Sequence, residues 1–352
     1  MKKILIKIGT NVLTKENGEL DQATMKNIVD QLCALKKEGK EIILVSSGAM
    51  GAGRTLIKLK NSKSVVQRQI LSAVGQVKLM QKYQELFAKH GYLCAQVLAT
   101  KEDFRDRSHY TNMRDCFSAL LHDQIIPIVN ENDVVSVSEL MFTDNDELAG
   151  LIASMMKVEK VIILTSVDGI FDKNPSEKDA KIITSINSKD LRFKKHITPD
   201  KSSFGRGGML TKADVALKLA KLGIETQILN GKTKDILLDS IGKGTTFHAD
   251  KKSSGMKNWI AHSKGQEKGK IHLNEGAADI ISSKNKAVSI LPIGITKIEG
   301  EFKKGDVLEI FDHSGQSLGL GMASYSSKKA RACLGHKNQK ALVHYNYLYL
   351  NS

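Results

Sequence analysis

From residue 3 to about residue 240, short apolar runs alternate with segments whose apolar residues recur every three to four positions. The runs at 3–8, 41–46, 93–98, 125–129, 160–164 and 225–229 have the length and composition of strands. Between them, Met25, Ile28, Leu32 and Leu35 keep a helical period, as do Leu71, Val74, Leu79, Tyr83 and Phe87. Alternation of this kind marks βαβ units. It predicts a three-layer α/β/α sandwich with a mainly parallel central sheet.

After residue 240 the texture changes to a stretch rich in Lys, Gly and Ser that carries Trp259, the single tryptophan. Beyond residue 271, short β-like runs at 287–291, 307–311, 318–323 and 341–350 are separated by the turn pairs Glu299-Gly300, Lys304-Gly305 and Ser314-Gly315. This spacing predicts a small C-terminal β-barrel. The expected division is therefore a first domain over 1–245, a linker over 246–268 and a second domain over 269–350.

A chain of 352 residues with 41% hydrophobic content has room for two or three domains and can bury a sizeable core. No apolar run reaches the length of about 18 residues that a membrane helix needs. The opening MKKILIKIGT passes straight into strand-like alternation without a secretory leader, so a cytoplasmic protein with no membrane partner is expected. Cys33, Cys94, Cys116 and Cys333 match neither a compact disulfide framework nor a metal knuckle. The net charge is +15, and residues 251–352, with 16 basic against 8 acidic groups, are much the more basic part. Charge alone fits an anionic partner or a solubilising lysine-rich surface equally well.

The glycines narrow the chemistry. A P-loop ending at Gly231-Lys232-Thr233 would need glycine where Thr226 stands, so that motif fails. Instead, the second strand ends in Ser46-Ser47-Gly48-Ala49-Met50-Gly51-Ala52-Gly53, and Gly9 occupies the equivalent corner after the first. Such corners let backbone N–H groups approach an anion, although tight packing alone also selects glycine. A third stretch, Phe204-Gly205-Arg206-Gly207-Gly208-Met209-Leu210-Thr211-Lys212, opens a helix and sets a cation near its start. The helix dipole disfavours a cation there, which points to an anionic group that offsets it.

Together these segments resemble the amino-acid kinase family almost end to end. The resemblance rests on KIGTNVLT near the start, VSSGAMGAG after the second strand, IVNENDVV at 128–135, FTDNDELAG at 142–150, LTSVDGIFDKNP at 164–175 and GRGGMLTK at 205–212. ILPIGITKIEGEFKKGDVLEI at 290–310 resembles the first half of a PUA domain. The motifs are most similar to those of family members that phosphorylate the side-chain carboxylate of L-glutamate with ATP, at the start of proline synthesis. Acetylglutamate, aspartate and carbamate are the alternative acids. An RNA-binding protein built on the C-terminal domain is a further, less favoured alternative.

The chemistry that this resemblance implies brings two anions together, so the site needs cations and N–H donors aimed at the transferring phosphoryl group. The family pattern gives Lys7 to the phosphates, Lys212 to the nucleotide side, and Asp146 to holding the two lysines in register. It assigns Ser47, Asp133 and Asn145 to the amino acid. Gly9, Thr165, Ser166 and the segment Arg206, Gly207, Gly208, Met209, Leu210, Thr211 and Lys212 fall to ATP. Ser166 stands where many relatives have an acidic residue. Magnesium is implied by ATP, with no protein ligand named. Feedback by proline, a homo-oligomer (dimer or tetramer) and transient contact with glutamate-5-semialdehyde dehydrogenase complete the family's expectations.

Overall fold

Alternation along the first strand, β1 (Lys3–Ile8), decides which helices cover each of its faces. Ile4, Ile6 and Ile8 join one buried cluster with Ile42, Leu44, Ile28, Leu32, Leu79 and Tyr83. Leu5 joins another with Ile43, Val45, Leu148, Ile152 and Leu219. Side chains alternate across a strand, so Lys7 lies on the face of Leu5. The two clusters are the two faces of one sheet covered by helices, which makes the α/β/α sandwich.

The computed structural model describes residues 2–57, 64–105, 107–135, 142, 144–174, 177–188, 190–197, 208–250, 260, 267–283 and 288–351. The chain divides into two compact units, Met1–Lys252 and Ser253–Ser352. In the first, β1 is joined by β2 (Glu41–Ser46), β3 (Cys94–Ala99), β4 (Ile126–Glu131), β5 (Lys160–Thr165), β6 (Ser185–Asn187), β7 (Glu225–Asn230) and β8 (Thr245–His248). Their order is β3-β4-β2-β1-β5-β7-β8-β6, and every pairing is parallel except β7 with β8. Register sets Ile8 beside both Ser46 and Leu164. The carboxyl ends of β1, β2 and β5 therefore share one edge of the sheet, where parallel sheets bind ligands.

The helices are α1 (Thr10–Leu13), α2 (Gln22–Lys37), α3 (Ala49–Arg54), α4 (Val65–Ala88), α5 (Lys101–Arg105), α6 (Arg107–His122), α7 (Asn145–Met156) and α8 (Met209–Lys221). Asp21 starts α2 by accepting from the Ala23 and Thr24 N–H groups at 3.1 Å, and Lys36 and Lys37 suit the dipole at its far end. Ser64 caps α4 in the same way through Gln67 N–H.

Several expectations shift. The strands expected at 93–98 and 125–129 occupy Cys94–Ala99 and Ile126–Glu131. Strands β6 and β8 carry too few apolar residues to announce themselves, one buried isoleucine in the first and one phenylalanine in the second. Phe247 is fully buried edge-on against Phe193, with ring centroids 5.6 Å apart. That burial draws residues 246–248, expected in the linker, into the sheet beside β7. Val74, expected on the buried face of α4, is only half-buried.

The second unit holds a five-stranded sheet made of β9 (Gly269–Leu273), β10 (Ile295–Glu299), β11 (Val307–Phe311), β12 (Ser317–Ala323) and β13 (Val343–Leu350), in the order β10-β9-β11-β12-β13. Only the β9–β11 pairing is parallel. Ile271, Leu273, Ile281, Ile310, Leu342 and Val343 form its core. The glycines of the three expected turn pairs, Gly300, Gly305 and Gly315, have φ of 80°, 99° and 85°. The run expected at 287–291 begins at Ala287, outside the described residues, and Ile290 makes one bridge to Val343 instead of a strand. Among the described residues no helix is long and apolar enough to cross a membrane.

Candidate active site

Parallel register places Lys7 near the carboxyl end of β1, and alternation aims it at the face covered by α7 and α8. Its ammonium lies 2.6 Å from Asp146 Oδ1. Lys212, the fourth residue of α8, donates to Asp146 Oδ2 at 2.9 Å. Three residues from distant parts of the chain thus meet at one carboxylate. Asp146 is fully buried, and the lysines keep only 4% and 8% of their exposure.

Asp146 is held there by the start of α7. The Asp144 side chain caps that helix, accepting from Asp146 N–H at 2.9 Å and Glu147 N–H at 3.2 Å. Burial works to raise the Asp146 carboxyl, but the charges of Lys7 and Lys212 and the hydrogen bonds they donate hold it well below the usual carboxylate range. Burial likewise opposes the Lys212 ammonium, and the Asp146 charge more than offsets it, leaving the Lys212 pKa above its ordinary value. At Asp144, burial and the neighbouring Asp146 charge push the carboxyl up. The two ammonium groups that face Asp146 place positive charge where it suits polyanionic phosphate.

A second set of side chains lies along the same edge. Asn145 Nδ2 donates to Ser47 Oγ at 3.0 Å and to Asn130 Oδ1 at 2.9 Å. Asn130 Nδ2 in turn donates to Gln76 Oε1 at 2.9 Å. Ser47 opens the loop after β2, its N–H donating to Ile8 O at 3.2 Å. The next residue, Gly48, has φ of 106°, which L side chains rarely adopt, and so can turn the chain into α3. Asp133 stands half-buried on the turn after β4, where Gln69 Nε2 donates to Val134 O at 3.0 Å.

The corner expected to receive the nucleotide is partly within the described residues. Gly9 N–H donates to Leu164 O at 3.0 Å, and Gly231 N–H to Thr165 O at 2.9 Å, so the ends of β1, β5 and β7 are tied together. Thr165 and Ser166 are half-buried there. Gly208 precedes α8 without a side-chain cap, Met209 and Thr211 are half-buried and Leu210 is exposed. Arg206 and Gly207 lie outside the described residues.

Asn130 and Gln76 were not among the residues singled out from the sequence. Asn130 belongs to the NEND motif that supplied Asp133. Gln76 offered a fainter signal, a polar residue three positions before Leu79 on the buried side of α4.

A fold of this order with two lysines on one buried carboxylate defines a class. The chain belongs to the amino acid kinase family, whose pattern matches residues 2–230, and a PUA domain matches residues 269–345. Two of its relatives are named glutamate 5-kinase. That of Bacteroides thetaiotaomicron is 50% identical over 356 residues, covering 99% of this chain and 98% of that protein. That of Chlorobaculum tepidum is 49% identical over 353 residues, covering 99% and 97%. Among solved structures, a carbamate kinase from Giardia lamblia bound to AMP-PNP is similar in fold, with a TM-score of 0.52 and 17% identity over 71% of this chain and 99% of that one.

Proposed function

We propose that this chain transfers the γ-phosphoryl group of ATP to the side-chain carboxylate of L-glutamate, releasing ADP and L-glutamyl 5-phosphate, the first step of proline biosynthesis. A carboxylate oxygen forms a bond to the γ-phosphorus as the bond to the bridging oxygen of ADP breaks. No general base is required, because the carboxylate is already ionised at pH 7. The difficulty is the approach of two anions, which preorganised cations relieve.

The observation that carries this reading is the pair of buried ammonium groups of Lys7 and Lys212 on Asp146 at the ligand-binding edge of the sheet. In it, Lys7 and Gly9 meet the phosphates, Lys212 stabilises charge from the nucleotide side, and Asp146 fixes the distance between the lysines. Ser47, Asp133 and Asn145 receive the amino acid, with Asp133 taking its ammonium. Thr165, Ser166 and residues 206–212 receive the nucleotide. Magnesium would arrive on the phosphates of ATP. Both Asp146 oxygens already face ammonium groups, so no protein ligand is assigned to it. A cytoplasmic enzyme, feedback by proline, a homo-oligomer and hand-over of the labile acyl phosphate to glutamate-5-semialdehyde dehydrogenase belong to the same reading.

ADP release measured with a panel of acids tests it. Turnover with free glutamate should exceed that with acetylglutamate, aspartate or carbamate by about 100-fold. Strong turnover with acetylglutamate and none with glutamate would overturn the choice of acid.

A further inference from the structure

An asparagine amide presents a donor on one side and an acceptor on the other, and nothing in its shape prefers one orientation. At Asn130 the surroundings decide. Its Oδ1 accepts from Asn145 Nδ2 and from Glu131 N–H, both at 2.9 Å, while its Nδ2 donates to Gln76 Oε1. A flipped amide would turn its NH2 against two donors and its oxygen against the Gln76 oxygen. We infer that Gln76, on α4 and outside the residues assigned to either substrate, is a positioning residue that, together with the fixed Glu131 N–H donor, holds the hydrogen-bond polarity of the amino-acid site. This inference rests on the proposed function.

The consequence runs outward along the chain of amides. With Asn130 Oδ1 facing it, Asn145 commits both Nδ2 hydrogens, one to Asn130 and one to Ser47 Oγ. Its carbonyl oxygen is then the atom it can offer a ligand. Ser47 Oγ, already accepting from Asn145, is left to donate its own hydrogen. An α-amino acid needs an acceptor for its ammonium and a donor for its carboxylate, and this orientation presents one of each. A reversed network would present the opposite pair. Asn130 and Gln76 are both buried, where an amide facing the wrong partner is costly.

Helix α4 is a firm base for such a device. A Cβ on Gly75, beside Gln76, would lie 1.8 Å from Ala49 O, so α4 and α3 touch backbone to backbone. Gln69, seven residues before Gln76 and therefore on the same face, holds Val134 O of the Asp133 turn. One helix face thus grips the β4 end of the amino-acid site at two points.

The test compares steady-state kinetics of full-length variants with the glutamate-dependent ADP release of the unaltered enzyme, which itself tests the proposed function separately. Gln76→Leu removes the acceptor and should raise the glutamate KM about tenfold while leaving the ATP KM within about twofold. Gln76→Glu keeps an oxygen at the same reach and should restore the glutamate KM to within about threefold of the original. Gln76→Met, similar in size to both, should behave like Gln76→Leu, and its comparison with Gln76→Glu decides the matter if the leucine variant does not fold. An unchanged glutamate KM in Gln76→Leu or Gln76→Met would overturn the inference. So would parallel rises in the glutamate and ATP KM values, or equal behaviour of the Glu and Met variants.

Discussion

Asp146→Ala is expected to reduce turnover by about 100-fold or more and to destabilise the fold by roughly 3–5 kcal/mol. The carboxylate is fully buried between ammonium groups at 2.6 and 2.9 Å. Removing it leaves two buried cations with the more distant Asp144 carboxyl as their counter-charge. The fold responds by loosening, or by giving up a proton from Lys212, whose pKa Asp146 now holds up. Either response removes the paired charge on which transfer depends in the proposed reaction. The pH dependence of stability should change in a stated direction as well. The folded-state pKa of Asp146 lies below its ordinary value of 3.8. Its contribution is therefore present above that value and is lost as pH falls towards the folded pKa, and the alanine variant should lack this acid-side loss. Denaturant unfolding and kcat measured on one preparation check both effects.

Lys212→Ala should separate catalysis from folding. Asp146 keeps Lys7 as its partner at 2.6 Å, so the remaining pair is balanced in charge and the fold should survive. What is lost, in the proposed reaction, is a cation needed chiefly as charge develops on the transferring group. Turnover should fall more than tenfold, with the glutamate KM nearly unchanged. Wild-type turnover in this variant would show that the α8 lysine only neutralises Asp146.

The parts of the sandwich that could be read from the sequence are those whose pattern repeats over whole strands. Residues 3–8 and 41–46 alternate or run apolar from end to end, and β1 and β2 have those bounds. Strand β8 could not be read, because Phe247 alone carries its apolar signal and its register partner on the neighbouring β7 is the polar Thr226. The site divides in the same way. Gly9 and the Ser46–Gly53 loop are local corners, visible wherever a strand meets a helix. The meeting of Asp146 with Lys212, 66 residues apart, has no signature in spacing, and family resemblance supplied it. Gln76 and Asn130, 54 residues apart, belong to no motif together, and only the folded sheet and α4 reveal their bond.

The central claim is that the ammonium groups of Lys7 and Lys212 close on the phosphoryl group in flight. A crystal structure of the full-length enzyme with ADP, magnesium, glutamate and a planar metal-fluoride mimic of that group measures this directly. The account expects both Nζ atoms within hydrogen-bonding distance, about 3 Å, of the fluoride ligands. Lysine side chains directed away from the mimic, with other groups filling their places, would contradict it.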